Sequence, residues 1–377
     1  MLRAIFSKGE IMKRKTVVLL AILCLVVLPL FAGGNPEAPK AAQGKYKIFF
    51  SMSIVGNEWM TICKNMAEAM AKSDHFKDRV DFEVQVSGED AQKQIQQIKA
   101  MVMSGADAII VYPVDPTAIE QALKAASEAG VVLYMLDDDR EEKYAYSIAA
   151  PFAELGTKRM EWLAKEMGYK GNLVKITGIP GTLFNTEVED GADLVLKKYP
   201  NIKVIAAANG EWTNAGARAR MKEILVTHPW EDIDGIITQY GADAITQMQL
   251  EDGRPANKLI PIAGETPNLQ RLMMLPPGTC KEAVGLRSIS IGTAAFQGAL
   301  AFKLAVDILD GKTVPKSTLV PVEYLTANSD NIKLCDGSIE AIKKGGNCFP
   351  SDIFPGSWNT DIYHPDVGLG LNAALGK

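Results

Sequence analysis

Histidine and the short motifs of common enzymes are scarce in this sequence. The chain has three histidines, His75, His228 and His364, with no metal-ligand spacing between them and no cysteine partner. It contains no GxSxG elbow, P-loop lysine, HExxH pair or GxGxxG turn. We therefore expect no catalytic centre, no metal and no cofactor. An exported enzyme on a flavodoxin-like fold is an alternative that these absences disfavour.

Positive charge is not concentrated anywhere along the chain. Lysine and arginine number 40 against 45 acidic residues, which gives a net charge of −5. Nucleic-acid-binding proteins carry a basic patch that contacts the phosphate backbone, so we expect no nucleic-acid partner. The apolar and charged fractions, 47% and 23%, are typical of globular proteins. A chain of 377 residues is long enough for two or three domains.

An apolar run near the N-terminus has the three parts of a secretory signal. Basic residues at 13–15 precede the apolar run at 17–28, and small residues follow at 32–34. We predict a signal peptide over residues 1–34, a flexible leader over 35–45 and a periplasmic location.

Two alternatives to a cleaved signal remain open. An uncleaved anchor is disfavoured because the run is short of the roughly 20 residues that span a bilayer. Lipidation of Cys24 is disfavoured by the bulky Leu23 before it. We therefore expect contact with the membrane only through a permease or such a lipid anchor.

Four further cysteines would lie in an oxidising compartment after export. Cys63, Cys280, Cys335 and Cys348 allow three complete pairings. Cys335 and Cys348 flank a polar, glycine-containing segment, so we predict a local disulfide between them. Cys63 lies on an apolar helical face, which predicts a buried free thiol.

Short β-rich runs alternate with helical patterns, and the series occurs twice. The first series has strands at 47–52, 81–86, 108–112 and 131–136, and helices at 58–72, 90–104 and 116–129. The second has strands at 172–177, 203–208, 235–238 and 259–263, and helices at 187–198, 214–227 and 242–251. Such alternation predicts an α/β fold with two doubly wound parallel-sheet lobes.

The rest of the chain is expected to cross back between the lobes. A helix at 292–309 would return to the first lobe. We predict an N-terminal lobe over 46–148 plus 287–322, and a C-terminal lobe over 149–286 plus 323–334. A C-terminal extension over 335–377 would lie on or near the second lobe. Ligands of such sheets bind beyond the carboxyl ends of the strands, which predicts a cleft between the lobes.

Polar and aromatic residues follow the predicted strands at these carboxyl ends. Carboxylates and amides hydrogen-bond hydroxyl groups, and aromatic faces cover the apolar face of a sugar ring. Each residue alone fits a structural role, and only their convergence points to a site. The candidate ligand-binding residues are Asn57, Trp59, Asp137, Asp138, Asn185, Trp212, Tyr240, Glu265, Asn268 and Arg287.

These loops resemble a known family, the periplasmic sugar-binding proteins of the ribose/galactose type that serve ABC importers. The resemblance covers about Lys47 to Leu325 and rests on Gly56-Asn57-Glu58-Trp59, on Gly105-Ala106-Asp107-Ala108, on Pro113-Val114-Asp115-Pro116 and on Gly178-Ile179-Pro180-Gly181-Thr182. It implies two lobes joined by three hinges near Ser147–Ala150, Leu286–Ser290 and Leu319–Tyr324. It also implies a monomer that captures a sugar by hinged closure and delivers it to a permease.

The chain departs from the ribose-binding pattern at several ligand positions. The pattern's second aromatic is Met60 here, its arginine falls at Asn185-Thr186, and its Asn-Asp pair is Tyr240-Gly241. Asp137 matches, whereas Glu265 replaces an aspartate and Trp212 a phenylalanine. A pentose, hexose, polyol or nucleoside-like ligand would suit the three aromatic residues.

Two other functions fit the same fold. A ligand sensor would present its closed form to a chemoreceptor or a sensor kinase instead of a permease. A repressor effector domain of the lac type would need a DNA-binding helix-turn-helix where the signal peptide stands.

Overall fold

The computed structural model describes residues 44–137, 144–322, 324–326 and 331–377. The predicted signal peptide, Cys24, almost all of the leader and Asp138 lie outside these residues. Within the described ranges, no helix is both long enough and apolar enough to cross a membrane.

The strands form two six-stranded sheets that match the predicted fold class. In chain order they are β1 Tyr46–Met52, β2 Val80–Val86, β3 Ala108–Tyr112, β4 Val132–Leu136, β5 Tyr146–Ala149, β6 Gly171–Thr177, β7 Ile202–Asn209, β8 Gly235–Thr238, β9 Ile262–Gly264, β10 Ser288–Ile291, β11 Ser317–Leu319 and β12 Tyr324–Thr326. The first sheet has the order β11-β5-β4-β3-β1-β2, and the second β12-β10-β9-β8-β6-β7. All the pairings are parallel except that of β12 with β10.

Helices connect the strands and cover the sheets. They are α1 Glu58–Lys72, α2 Ala91–Met103, α3 Pro116–Glu128, α4 Phe152–Glu166, α5 Leu183–Lys198, α6 Asn214–Leu225, α7 Ala242–Glu251, α8 Asn268–Met274, α9 Gln297–Leu309, α10 Ile339–Lys343 and α11 Leu371–Ala374. α1, α2, α3 and α9 pack with the first sheet and form the N-terminal lobe. α4 to α8 pack with the second sheet and form the C-terminal lobe.

Side-chain caps begin two helices that follow loops at the carboxyl edge of the first sheet. The side chain of Asn57 accepts a hydrogen bond from the amide of Met60, and that of Asp115 accepts from the amides of Thr117 and Ala118. Such caps satisfy amide groups that the first helical turn leaves without partners. They fix the direction in which α1 and α3 leave the sheet.

The chain passes between the sheets three times, as the resemblance implies. It crosses between β5 and α4, between β10 and α9, and between β11 and β12. The second predicted hinge, at 286–290, was placed too early, because β10 still belongs to the second sheet. The crossing follows it at residues 292–296.

The cysteines differ from the prediction at one point. Cys63 is buried and free, as expected. The predicted Cys335–Cys348 disulfide is wrong for this structure, since both thiols are free. Cys348 is paired in register with Leu334, so the side chain of the next residue, Cys335, points to the other face. Cys335 lies against Gly346, whereas Cys348 is buried in an apolar cluster with Leu272.

Candidate ligand-binding site

A narrow cavity lies between the carboxyl edges of the two sheets. Its cavity volume is about 40 Å³, and the space that includes its open mouth is about 400 Å³. Both lobes and the crossing after β10 contribute to its wall, which is formed by Asn57, Trp59, Met60, Tyr112, Asp137, Phe184, Trp212, Gln239, Tyr240, Glu265 and Thr293. The two sheets thus converge on one cavity, open to solvent at its mouth, at the edge where open α/β sheets bind ligands.

The N-terminal lobe contributes an aromatic pair. Trp59 lies in the first turn of α1, and Tyr112 ends β3. Their ring centroids are 6.0 Å apart with an interplanar angle of 53°. Nε1 of Trp59 donates to the carbonyl oxygen of Thr293 at 2.9 Å. This bond ties the indole to the segment where the chain crosses between the lobes, so its apolar face is left for a ligand.

The C-terminal lobe contributes a second aromatic pair. The rings of Phe184 and Trp212 meet edge to face with centroids 5.7 Å apart. Nε1 of Trp212 donates to Oε1 of Gln239 at 2.9 Å. Gly178 lies directly beneath the indole, because a Cβ there would be 1.9 Å from Nε1 of Trp212. Only glycine leaves space for this position of the ring.

Asp137 presents a carboxylate that lacks part of its hydrogen bonding. It follows β4 with a φ of 49°, a left-handed conformation that is uncommon outside glycine. Its Oδ1 is buried and has no hydrogen-bond partner among the described residues. Burial raises the pKa of this carboxyl to about 7; the nearby Gln297 carboxamide opposes the rise, and the charge of Glu265 adds to it.

Gln297 is the neighbour of Asp137 in the first turn of α9. It is completely buried, yet neither polar atom of its carboxamide has a hydrogen-bond partner within the described part of the chain. The carboxamide is close enough to lower the pKa of Asp137, although its contact with that carboxyl falls short of full hydrogen-bond geometry. Buried polar groups are normally satisfied, so an incomplete set beside a cavity points to a ligand that completes it.

Glu265 supplies the second carboxylate. It directly follows β9, and Oε1 accepts a bond from Nη2 of Arg159 at 2.5 Å. Arg159 is completely buried and also donates to the carbonyl oxygen of Ile291 through Nε and Nη2. Burial raises the pKa of Glu265, while Arg159 counteracts that rise. The ion pair holds the carboxylate at the cavity wall.

Tyr240 connects the two lobes at the cavity. It follows β8 in the C-terminal lobe, and its hydroxyl donates to Oε2 of Glu58 at the start of α1, 2.7 Å away. The same hydroxyl lies 3.1 Å from the carbonyl oxygen of Ser357. Burial and the charge of Glu58 raise the pKa of Tyr240 well above its usual range, so the phenol stays protonated as the donor.

Six of the ten predicted ligand residues line this cavity. They are Asn57, Trp59, Asp137, Trp212, Tyr240 and Glu265. Asn185 lies just behind the wall, where its side chain accepts a bond from the amide of Gly178. Asp138 is outside the described residues.

Two predicted ligand residues, Asn268 and Arg287, lie away from the cavity, so the structure does not support their prediction as wall residues. Asn268 is completely buried and uses its carboxamide on the backbone of Phe349 and Phe354. Arg287 precedes β10 at the amino edge of the sheet, where it contacts Glu166 and the carbonyl oxygen of Leu259. Both residues were predicted because they lie close to a strand end in the sequence. In the structure, Asn268 points away from the cavity, and Arg287 lies at the amino end of its strand.

Several wall residues were not predicted from the sequence. Tyr112 could have been found, since it ends a correctly predicted strand. Phe184 was missed because helix α5 begins at Leu183, a turn before the predicted start, after Thr182 caps it. Gln239 could also have been found, since it directly follows the correctly predicted strand β8, whereas Thr293 carries no pattern of its own.

This set of groups suits a small, neutral molecule rich in hydroxyls. Two carboxylates can accept hydrogen bonds from adjacent hydroxyls, and the five aromatic rings in the wall can cover C–H faces. In the described ranges, no cluster of histidine, cysteine and acidic side chains could hold a metal ion.

Comparison with known proteins agrees with this architecture. The chain is similar to the xylitol-binding protein of Mycolicibacterium smegmatis, with 29% identity over 46% of this chain and 51% of that protein, and so spans about half of that relative. It is 23% identical to the ribose import binding protein RbsB of Bacillus subtilis over 83% of this chain and 99% of that protein. The crystal structure of a galactofuranose-binding protein superposes with a TM-score of 0.64 and 22% identity, covering 75% of this chain and 95% of that one.

The family itself is identified by a match to residues 48–313, which is more than half of the chain, described as a periplasmic binding protein domain. Proteins of this family bind substrates and are not enzymes. With its two α/β lobes and the cavity between them, the chain belongs to the periplasmic binding protein family.

Proposed function

We propose that this protein captures a sugar or a sugar-like polyol outside the cytoplasm and delivers it to an ABC importer. The observation that carries the proposal is the pair of carboxylates, Asp137 and Glu265, that face one aromatic-walled cavity from opposite lobes. Each follows the fourth strand of its own α/β series, so closing the lobes brings two acceptors onto one ligand.

The chemistry of the cavity favours hydroxyl groups over charged ligands. Asp137 and Glu265 would repel an anionic ligand. The positive charge of Arg159 is already paired with Glu265. A cation could pair with the carboxylates, but burial raises the pKa of Asp137 to about 7 and so disfavours its charged form, whereas a hydroxyl can donate to its unpartnered oxygen. Xylitol and ribose, the ligands in the names of two relatives, are neutral polyhydroxylated molecules.

Capture would follow hinged closure. In the open form one lobe binds the ligand, and closure adds contacts from the other lobe. Tyr240 and Glu58 would join only when the lobes close. A permease that recognises the closed shape would then receive the ligand unchanged.

A binding screen of the mature protein tests the proposal. Xylitol, D-ribose, D-galactose, myo-inositol and adenosine are titrated by thermal shift and calorimetry, with L-leucine as a non-sugar control. A ligand at 100 times its Kd stabilises by about 2.7 kcal/mol, so a true ligand raises Tm. Binding should weaken roughly 10- to 100-fold in Asp137→Ala and Glu265→Ala, because each loses a hydrogen bond to a charged group.

Glu211→Gln is the matched control, because Glu211 is exposed beside Trp212 but does not line the cavity. It should bind as the wild type does. Ligand recovered from the complex should be chemically unchanged by mass spectrometry. Wild-type affinity in both carboxylate variants would place the site elsewhere, and conversion of the ligand would contradict a binding function.

A further inference from the structure

The C-terminal extension, residues 335–377, lies beyond the matched family domain, yet it packs directly behind the ligand site. The backbone amide and Oγ1 of Thr360 both donate to the carbonyl oxygen of Thr266, at 2.9 and 3.0 Å. The side chain of Asn359 donates to Oγ1 of Thr266 at 2.9 Å. Because Thr266 follows Glu265, these bonds hold the loop that carries the second carboxylate.

Two fully buried polar residues of α8 depend on the extension for their partners. The carboxamide of Asn268 donates to the carbonyl oxygens of Phe349 and Phe354 and accepts from the amide of Phe349. The guanidinium of Arg271 pairs with Asp361 at 2.7 Å. A buried charge or amide without partners is strongly unfavourable, so this part of the extension is an integral part of the C-terminal lobe.

The extension then reaches the N-terminal lobe. The amide of Ala295, just before α9, donates to the carbonyl oxygen of Asp361 at 3.0 Å. Further along, Nδ2 of Asn65 on α1 donates to the carbonyl oxygen of Ala374 at 2.9 Å, and Ala374 is completely buried. The extension therefore contacts both lobes, in addition to the three crossings of the chain.

A third contact lies at the cavity wall itself. The carbonyl oxygen of Ser357 is 3.1 Å from the hydroxyl of Tyr240, which donates to Glu58 of the opposite lobe. The phenol has one proton, so Ser357 offers it an acceptor whenever Glu58 moves away. The extension thus contacts, through Ser357, the same Tyr240 hydroxyl that joins the two lobes.

We propose that the C-terminal extension is an interlobe strap: it positions the Glu265 loop and stabilises the closed arrangement of the lobes. Its segment 347–361 is fixed to the C-terminal lobe, and its end, α11, holds α1 of the N-terminal lobe. Closure is then favoured by contacts that lie outside the cavity, and the strap lowers the rate at which a bound ligand escapes. The effect on the ligand rests on the proposed function, whereas the effect on the lobes does not.

The test separates α11 from α1 while leaving the contacts with the C-terminal lobe intact. One variant ends at Leu369 and lacks α11; a second is Asn65→Ala in the full chain, which removes one interlobe hydrogen bond. Asn372→Ala is the control, because Asn372 is exposed on the same short helix. Circular dichroism melts establish that each variant is folded.

The first readout needs no ligand. Small-angle scattering of the ligand-free proteins should give a larger radius of gyration for the shortened chain than for the wild type and Asn372→Ala. The second readout is stopped-flow release of D-ribose or xylitol, whichever binds the wild type. Release should be roughly fivefold faster in Asn65→Ala, the effect of losing about one hydrogen bond.

The two readouts separate the strap from the binding function. A larger radius without binding of any sugar would support the strap and contradict the proposed function. Wild-type scattering together with wild-type release rates in the folded variants would overturn the strap and leave the proposed function standing.

Discussion

Nη2 of Arg159 lies 2.5 Å from Oε1 of Glu265, and both side chains are buried. Arg159 also donates to the carbonyl oxygen of Ile291, the last residue of β10. One guanidinium therefore links the second site carboxylate to the point where the chain begins to cross between the lobes. The position of Glu265 depends on this residue, which does not itself line the cavity.

Arg159→Met should destabilise the protein by about 3–5 kcal/mol, because it leaves the buried Glu265 charge unpaired. The double variant Arg159→Met with Glu265→Gln should recover much of that loss but bind no better. Urea unfolding measures the first effect and calorimetry the second. Arg220→Met is the control, since its partner Glu223 is exposed and such pairs contribute at most about 1 kcal/mol. Equal losses at both arginines would contradict a buried, structurally required pair.

Asp137→Asn should make the ligand-free protein more stable at pH 8 and change little at pH 4. The folded protein holds the Asp137 proton more tightly than the unfolded chain does, since the pKa rises from 3.8 to about 7. Wild-type stability from this group is therefore greatest at low pH and declines as pH rises from about 4 to about 7. Thermal melts across this range measure the difference between the two proteins.

Ligand binding should show the opposite trend at the same residue. A hydroxyl that donates to Asp137 favours the ionised carboxylate, so wild-type affinity should rise between pH 6 and pH 8. The affinity of Asp137→Asn should be lower and nearly independent of pH over that interval. Asp74→Asn, at an exposed position, serves as the control and should follow the wild type. Parallel pH profiles in wild type and Asp137→Asn would show that Asp137 does not titrate with binding.

Gly178→Ala should displace Trp212, because the new Cβ would lie 1.9 Å from Nε1 of the indole and 2.6 Å from Oε1 of Gln239. We expect at least about tenfold weaker binding, since the aromatic face moves away from the ligand. Near-ultraviolet circular dichroism and tryptophan emission should change as well. Gly56→Ala, where nothing lies within 4 Å of the new Cβ, should leave all three unchanged. An unchanged tryptophan signal in Gly178→Ala would mean that the indole does not rest on this glycine.

The mature N-terminus should lie near residues 33–35, because small residues follow the apolar run there. Mass analysis of protein isolated from the cell envelope measures it directly. A chain that retains the apolar run, or that begins at a lipidated Cys24, would show that the segment is an anchor.

Most of the secondary structure could be predicted from residue patterns alone. Helix α1 and strands β3 and β8 begin and end at the predicted residues, because caps, glycines and apolar periodicity mark them locally. Helix α4 was not predicted at all, and the start of α9 was placed five residues too early, at 292 instead of Gln297. The start of α5 was placed four residues too late. No apolar periodicity marks its first turn, so Phe184 was left out of the predicted helix and out of the predicted site.

The sequence by itself determined the two-lobed α/β architecture and the sheet edge at which the cavity lies. It also singled out six wall residues, because residues that follow parallel strands must meet at one edge. Tertiary structure alone decided what each polar side chain does there. Glu265 and Asn268 follow the same strand within four residues, yet one faces the cavity and the other holds the C-terminal extension. That difference depends on partners more than 80 residues away, Arg159 and Phe349, which no local pattern encodes.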